Sequence, residues 1–77
     1  MNRIEALGAV IRAARTRLNI SQEKLAETAK LHRNAMGRIE RCEFVVSVGT
    51  LWRIADALGV SASELMHEAE MLADKEA

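Results

Sequence analysis

The sequence predicts an all-α fold, a single domain of five short helices. Apolar residues recur at helical spacing, with no sustained apolar–polar alternation of the kind a strand needs. The chain has no proline and only one phenylalanine and one tryptophan, so neither helix-breaking prolines nor aromatic-rich strands are available. Small polar residues stand where helices would begin, which divides the chain into short elements. Seventy-seven residues make one domain near the lower limit of what a single core stabilises.

The elements follow in order. Ile4, Leu7, Ile11, Ala14 and Leu18 form a stripe, which predicts a first helix over residues 3–17. Ser21 is an N-cap candidate, with Glu23 in the first turn where the helix dipole favours an anion. Leu25, Ala26 and Ala29 then mark a second helix over about 22–29. Beyond Lys30 and Leu31 a third helix spans about 33–41, with Met36 and Ile39 facing inward. Ser47 caps a fourth helix bearing Val48, Leu51, Ile54, Ala55 and Leu58. In ALGVSASEL, Gly59 is placed as a left-handed C′ residue followed by Val60. Ser61 and Glu64 spell a capping box for a fifth helix carrying Ala62, Leu65, Met66, Ala69, Leu72 and Ala73.

The zero net charge conceals an asymmetry. Residues 1–41 hold nine basic side chains against four acidic ones, a balance of +5, and residues 42–77 carry −5. One surface is thereby suited to a polyanion and another is kept from it, although helical proteins with uneven ends show similar imbalance. Cys42 is the sole cysteine, which rules out an intramolecular disulfide. With His32 and His67 it is too scattered for a structural zinc site, so no metal is expected. Self-association is the remaining route to extra stability.

Two short helices joined by a tight turn, the second rich in Arg and Asn, have the helix-turn-helix arrangement. The run SQEKLAETAKLHRNAMGRIERCE followed by TLWRIADALGVSASEL resembles the Cro/repressor-like (XRE) family of bacterial and phage DNA-binding proteins. The likeness covers residues 7 to about 66 and is particularly close to the controller proteins of restriction–modification systems. It implies a five-helix Cro/repressor-like domain over residues 1–77, with the helix-turn-helix at about 21–41 and a dimerisation part at about 47–75.

Matched residue by residue, the resemblance assigns base reading to His32, Arg33, Asn34 and Arg38. Arginine suits guanine O6/N7 and asparagine suits adenine N6/N7, each through paired hydrogen bonds. His32 stands at the N-cap of the third helix and could equally satisfy a backbone N–H, and Asn34 could do so locally. Gln22 at the start of the second helix is matched to a phosphate contact. Arg17, Lys24, Lys30 and Arg41 are further phosphate candidates. Ala26 and Met36 match close helix packing, and Gly37 lies among the readers, where a small residue permits backbone approach to the groove. The family pattern also pairs Arg15 with Glu40 in a partly buried ion pair.

Three departures stand out. The family usually has glycine where this chain has Asn19, Lys30 and Cys42. A lysine or cysteine in the left-handed region costs roughly 1 kcal/mol or more. Lys30 is thus either a phosphate contact or tolerated drift, and Cys42 either a packed thiol or a redox sensor. Phe44 and Val45 follow the recognition helix where polar residues are commoner in the family, suggesting a contact surface.

A homodimer is expected through the fourth and fifth helices, with Trp52, Leu65, Met66, Ala69 and Phe44 contributing. Glu23 and Glu27 lie four residues apart on the second helix; acids at the matching positions of similar phage repressors contact RNA polymerase, which makes them a possible polymerase patch. The expected function is a sequence-specific, autoregulatory transcription regulator that binds a pseudo-palindromic double-stranded DNA operator. The alternatives are an antitoxin of a toxin–antitoxin pair, or a protein-interaction module that retains the fold. No phosphate loop, carboxylate–histidine site or Cys/His nucleophile pair is present, so no enzyme, cofactor or small-molecule ligand is expected. The N-terminus MNRIEALGAV has neither the apolar stretch nor the cleavage site of a secretory signal, and no run approaches a membrane span. A cytoplasmic location is therefore expected.

Overall fold

The computed structural model describes residues 1–43 and 45–76. Five helices follow one another: α1 (Arg3–Arg17), α2 (Gln22–Thr28), α3 (Arg33–Glu40), α4 (Val48–Leu58) and α5 (Ala62–Lys75). No strand occurs among the described residues. Helices α2 and α3 each stop slightly short of the sequence expectation, because Ala29 and Arg41 are their C-caps.

Each helix contributes one of the five largest fully buried side chains: Ile11, Leu25, Met36, Ile54 and Leu65. One core thus collects an apolar residue from every element. Helix α1 lies along α5 in the most extensive helix contact, and α2 packs against both α3 and α4. The inward face of α1 is Ala6, Val10, Ile11 and Ala14. The ends of the expected stripe, Ile4 and Leu18, remain 42% and 44% exposed. Val48 is likewise exposed at the start of α4. The small residues Ala6, Gly8 and Ala14 on the buried face of α1 permit its close approach.

Gly8 shows how tight that approach is. A Cβ placed there would lie 2.7 Å from both the Ile39 carbonyl oxygen and Cys42 Sγ. Backbone cannot yield as a flexible side chain can, so Gly8 sets the distance between α1 and the end of α3. The Cys42 thiol donates to the Glu5 carbonyl at 3.3 Å across the same contact. Burial raises its pKa, and the nearby Glu5 charge adds to the shift.

Helix starts are capped by side chains. The Asn2 carboxamide oxygen accepts from the Glu5 N–H at 2.8 Å, and the Asn2 N–H donates to the Glu5 carboxylate at 3.0 Å. This full capping box was not anticipated from sequence. Ser21, Ser47 and Ser61 accept from the N–H groups of Lys24, Thr50 and Glu64. At Ser61 only this half of the expected box is formed.

The ends of α1 to α4 share one device. Asn19, Lys30, Cys42 and Gly59 all adopt left-handed backbone, with φ of 61°, 60°, 62° and 73°. Behind them the N–H groups of Ile20, Leu31, Glu43 and Val60 reach back to the carbonyls of Arg15, Ala26, Arg38 and Ala55. This is the Schellman pattern, which satisfies carbonyls that a helix end would leave unpaired. Ile20, Leu31 and Val60 also pack against the core. The turn geometry therefore requires a left-handed residue at Lys30, whatever side chain stands there.

Under the core's polar edge lies a buried ion pair. Arg15 Nε and Nη2 donate to the two Glu40 carboxylate oxygens at 2.7 and 3.1 Å. Arg15 Nη1 donates to the Ile20 carbonyl at 2.8 Å, and Gln22 Nε2 donates to Glu40 at 3.0 Å. The Glu40 side chain is 2% exposed and that of Arg15 is 15% exposed. One carboxylate thereby ties together α1, the start of α2 and the end of α3.

Urea unfolding checks two consequences. Glu40→Gln should lower stability by about 3 kcal/mol, because the Arg15 charge stays largely buried without its counter-ion; equal stability of variant and parent would contradict this. Lys30→Gly should raise stability by about 1 kcal/mol through relief of the left-handed position, whereas Gly8→Ala should lower it by about 2 kcal/mol through overpacking against backbone.

Candidate nucleic-acid interface

Helix α3 begins at Arg33 with His32 as its N-cap; the His32 Nδ1 accepts from the Asn34 N–H at 3.1 Å. The capping role is thus filled, and a neutral ring accepting at Nδ1 carries its proton on the outward Nε2. From the cap, residues 33, 34, 37, 38 and 41 recur on one face of the helix. Arg33, Asn34, Gly37, Arg38 and Arg41 line a single surface depression with Gln22 and Glu43. Helix α3 and its C-cap Arg41 therefore present three arginines and an asparagine outward while Met36 and Ile39 hold the helix to the core.

Gly37 has a more specific role than spacing suggested. A Cβ there would lie 3.0 Å from Arg41 Nη1 and 3.5 Å from the Gln22 side-chain oxygen. In this structure the space left by the missing side chain receives Arg41. Gln22 lies between Gly37 and Glu40, to which its amide donates, so the first residue of α2 is held against α3 by side-chain contact.

The basic face is balanced by carboxylates. Glu23 on α2 pairs with Arg33 at 3.3 Å, linking the first turns of α2 and α3. Glu43 accepts from Arg41 Nε and stands 3.7 Å from Arg38 Nε. The hydrogen bond from Arg41 holds the Glu43 carboxyl below the ordinary carboxylate range, and Arg38 adds to this. Reciprocally, Glu43 raises the pKa of the Arg41 guanidinium. These are exposed pairs, individually weak in water, and in this structure they orient the guanidinium groups toward Glu23 and Glu43.

The remaining candidates are placed elsewhere. Lys30 lines a separate groove with Thr28, Ala29, Arg53, Asp56 and Ala57, between the end of α2 and α4. Arg17 borders a third depression along α1 with Arg12, Ala13 and Thr16. Lys24 pairs with Glu27 at 3.7 Å on α2. Glu23 and Glu27 are thus each paired with a basic side chain, Arg33 and Lys24 respectively.

The interface set also needs correction. Leu65 and Ala69 are 1% and 3% exposed within the single chain, where they pack against the core and offer a partner no surface. Trp52 and Met66 are exposed, as are Val45 and Val48, which the expected set omitted. Phe44 lies outside the described residues. Among the described residues no group of His, Cys, Asp or Glu is placed to hold a metal, and no helix is long and apolar enough to cross a membrane.

Sequence reasoning missed Glu43. Its signal was available: the same position at the other left-handed helix ends holds Ile20, Leu31 or Val60, and here it holds an acid.

Comparison with known proteins accords with this geometry. Residues 11–65 match the helix-turn-helix family model. The chain is 42% identical over 62 residues to the control protein C.SmaI of Serratia marcescens, covering 80% of this chain and 74% of that protein. It is 34% identical over 71 residues to the immunity repressor of Bacillus phage phi105, covering 92% of this chain and 49% of the repressor, about half its length. Among solved structures, the clp gene regulator ClgR of Corynebacterium glutamicum superposes with a TM-score of 0.94 at 28% identity, covering 99% of this chain and 81% of ClgR. The restriction–modification controller protein C.AhdI of Aeromonas hydrophila gives 0.77 at 33% identity, covering 82% and 94%. The chain belongs to the XRE-type helix-turn-helix family of DNA-binding transcription regulators.

Proposed function

We propose that this chain is a dimeric, operator-binding autoregulator of the controller type, reading bases in the major groove with Arg33, Asn34 and Arg38. One observation carries the reading: these side chains share the exposed face of α3 with Gln22 and Arg41, in one depression. That face can enter a groove while Gln22 and Arg41 flank it at the level of the phosphates. Kinship to a control protein and to an immunity repressor favours gene regulation over a protein-interaction module that merely keeps the fold. An antitoxin role has no comparable support. His32 is a cap first, and its Nε2 is the group through which it could reach DNA.

The phosphate contacts divide by position. Gln22 and Arg41 adjoin the readers, whereas Arg17 and Lys24 border the surface from α1 and α2. Lys30 opens onto the α2–α4 groove beside Arg53, which makes it the weakest of the expected phosphate contacts. Glu23 and Glu27 remain accessible to RNA polymerase, but their basic partners leave no distinguishing charge to support that contact.

For the dimer, the exposed Trp52 and Val48 are four residues apart and share a face of α4, with Met66 exposed on α5. An exposed tryptophan flanked by aliphatic side chains is characteristic of a protein contact surface. Two copies joined there would present their recognition helices about 34 Å apart, one turn of DNA.

Gel-shift titration against DNA from the chain's own promoter region tests the reading. Operator affinity should fall with salt along a log–log slope of several units, because the arginine face displaces counter-ions. Arg33→Ala and Arg38→Ala should each reduce discrimination between bases by about 1–3 kcal/mol at one position, whereas Arg17→Ala should weaken all sequences alike. Wild-type discrimination in the Arg33 and Arg38 variants would refute the assignment of readers. Sedimentation should show a dimer at micromolar concentration that Trp52→Ala dissociates; a monomer with and without operator would refute the dimer.

A further inference from the structure

Glu43 breaks the pattern of the helix ends. The residue after each left-handed position is apolar at Ile20, Leu31 and Val60, where it packs against the core, and acidic only at Glu43. The Schellman turn needs only the Glu43 N–H, which donates to the Arg38 carbonyl at 2.8 Å. Its carboxylate is therefore free for another task. That carboxylate accepts from Arg41 Nε and lies 3.7 Å from Arg38 Nε. One acid thus bridges two guanidinium groups of the recognition face, and it does so on the rim of the depression that holds the readers.

We propose that Glu43 is a specificity-determining residue, an internal stand-in for a DNA phosphate that competes for Arg38 and Arg41 and so suppresses binding to non-operator DNA. The inference rests on the reading of α3 as the recognition helix. A guanidinium presents a planar fork of donors that matches carboxylate and phosphate alike, so both anions seek the same edge. On arbitrary sequence Arg38 and Arg41 can gain only phosphate contacts. Each such contact must displace Glu43 or bring a phosphate beside its charge. On the operator Arg38 instead donates two hydrogen bonds to a base edge, so that only Arg41 meets the competition at a phosphate. Non-operator complexes therefore bear more of the competition, and the ratio of specific to non-specific affinity rises.

The geometry also preorganises the readers. Arg41 is held by Glu43 and lies over Gly37, 3.0 Å from where a Cβ would stand. Arg38 is drawn toward the same carboxylate. The two long side chains are then partly ordered before DNA arrives, which lowers the entropic cost of the productive arrangement.

The test compares Glu43→Gln with wild type and with Glu76→Gln, which removes the same charge from the far end of α5. Full-length proteins are titrated against an operator duplex and a scrambled duplex over a salt series. Glu43→Gln should bind the scrambled duplex about fivefold more tightly at low salt, as loss of an exposed ion pair allows. Its log–log salt slope on that duplex should steepen by about one unit, since one more cation becomes available to phosphate. Operator affinity should change less, so discrimination falls. An unchanged slope and ratio would overturn the proposal, as would an equal effect from Glu76→Gln, which would reduce it to net charge. Failure of the wild type to bind either duplex would instead overturn the assignment of α3 as the recognition helix.

Discussion

The position of the recognition helix depends on the carboxylate of Glu40. A buried charge is costly unless each of its lone pairs is met, and here Arg15 and Gln22 supply three donors to the two oxygens. These donors come from α1 and from the first turn of α2, while the carboxylate comes from the last turn of α3. Apolar packing alone would let short helices slide or rotate at little cost, because it is non-directional. A bidentate guanidinium–carboxylate pair has a preferred plane and distance, so it restricts how α3 can lie against the rest. Gly8 sets the same spacing from the opposite side, by excluding any side chain between α1 and the Ile39 carbonyl.

The exposed arginine face follows from that constraint. With Met36, Ile39 and Glu40 turned inward, Arg33, Asn34, Arg38 and Arg41 face out, and Gly37 lies covered beneath Arg41. Gln22 serves both arrangements, donating to Glu40 while its side-chain oxygen lies near Gly37. Whatever shifts α3 relative to α2 would separate Gln22 from the arginines it flanks. The same buried node thus bears on stability and on the proposed reading of bases.

Much of this was legible in the sequence. Helix order followed from apolar spacing and from the serines at positions 21, 47 and 61, because caps and amphipathic faces are local. Left-handed backbone at Asn19, Lys30 and Cys42 was visible through resemblance to a family that usually has glycine there. Lys30 is accommodated because the Schellman hydrogen bonds and the packing of Leu31 over-determine the turn. What stayed hidden depends on tertiary approach. Leu65 and Ala69 read as surplus apolar surface but are core, since α5 lies along α1 for much of its length. Gly8 gave no local sign of its role, because the atoms it admits come from residues 39 and 42. Glu43 was passed over as one acid among several in the acidic half.

The central claim is that fork geometry at the buried node, and not charge alone, positions α3 for base recognition. Arg15→Lys isolates this claim, since lysine keeps the positive charge beside Glu40 but cannot make the paired, planar contact. The decisive measurement is the ratio of operator to scrambled-duplex affinity for that variant, taken at a temperature where circular dichroism shows it folded. The account predicts that the ratio falls while scrambled-duplex affinity stays near that of the parent. A folded Arg15→Lys protein with undiminished discrimination would contradict it.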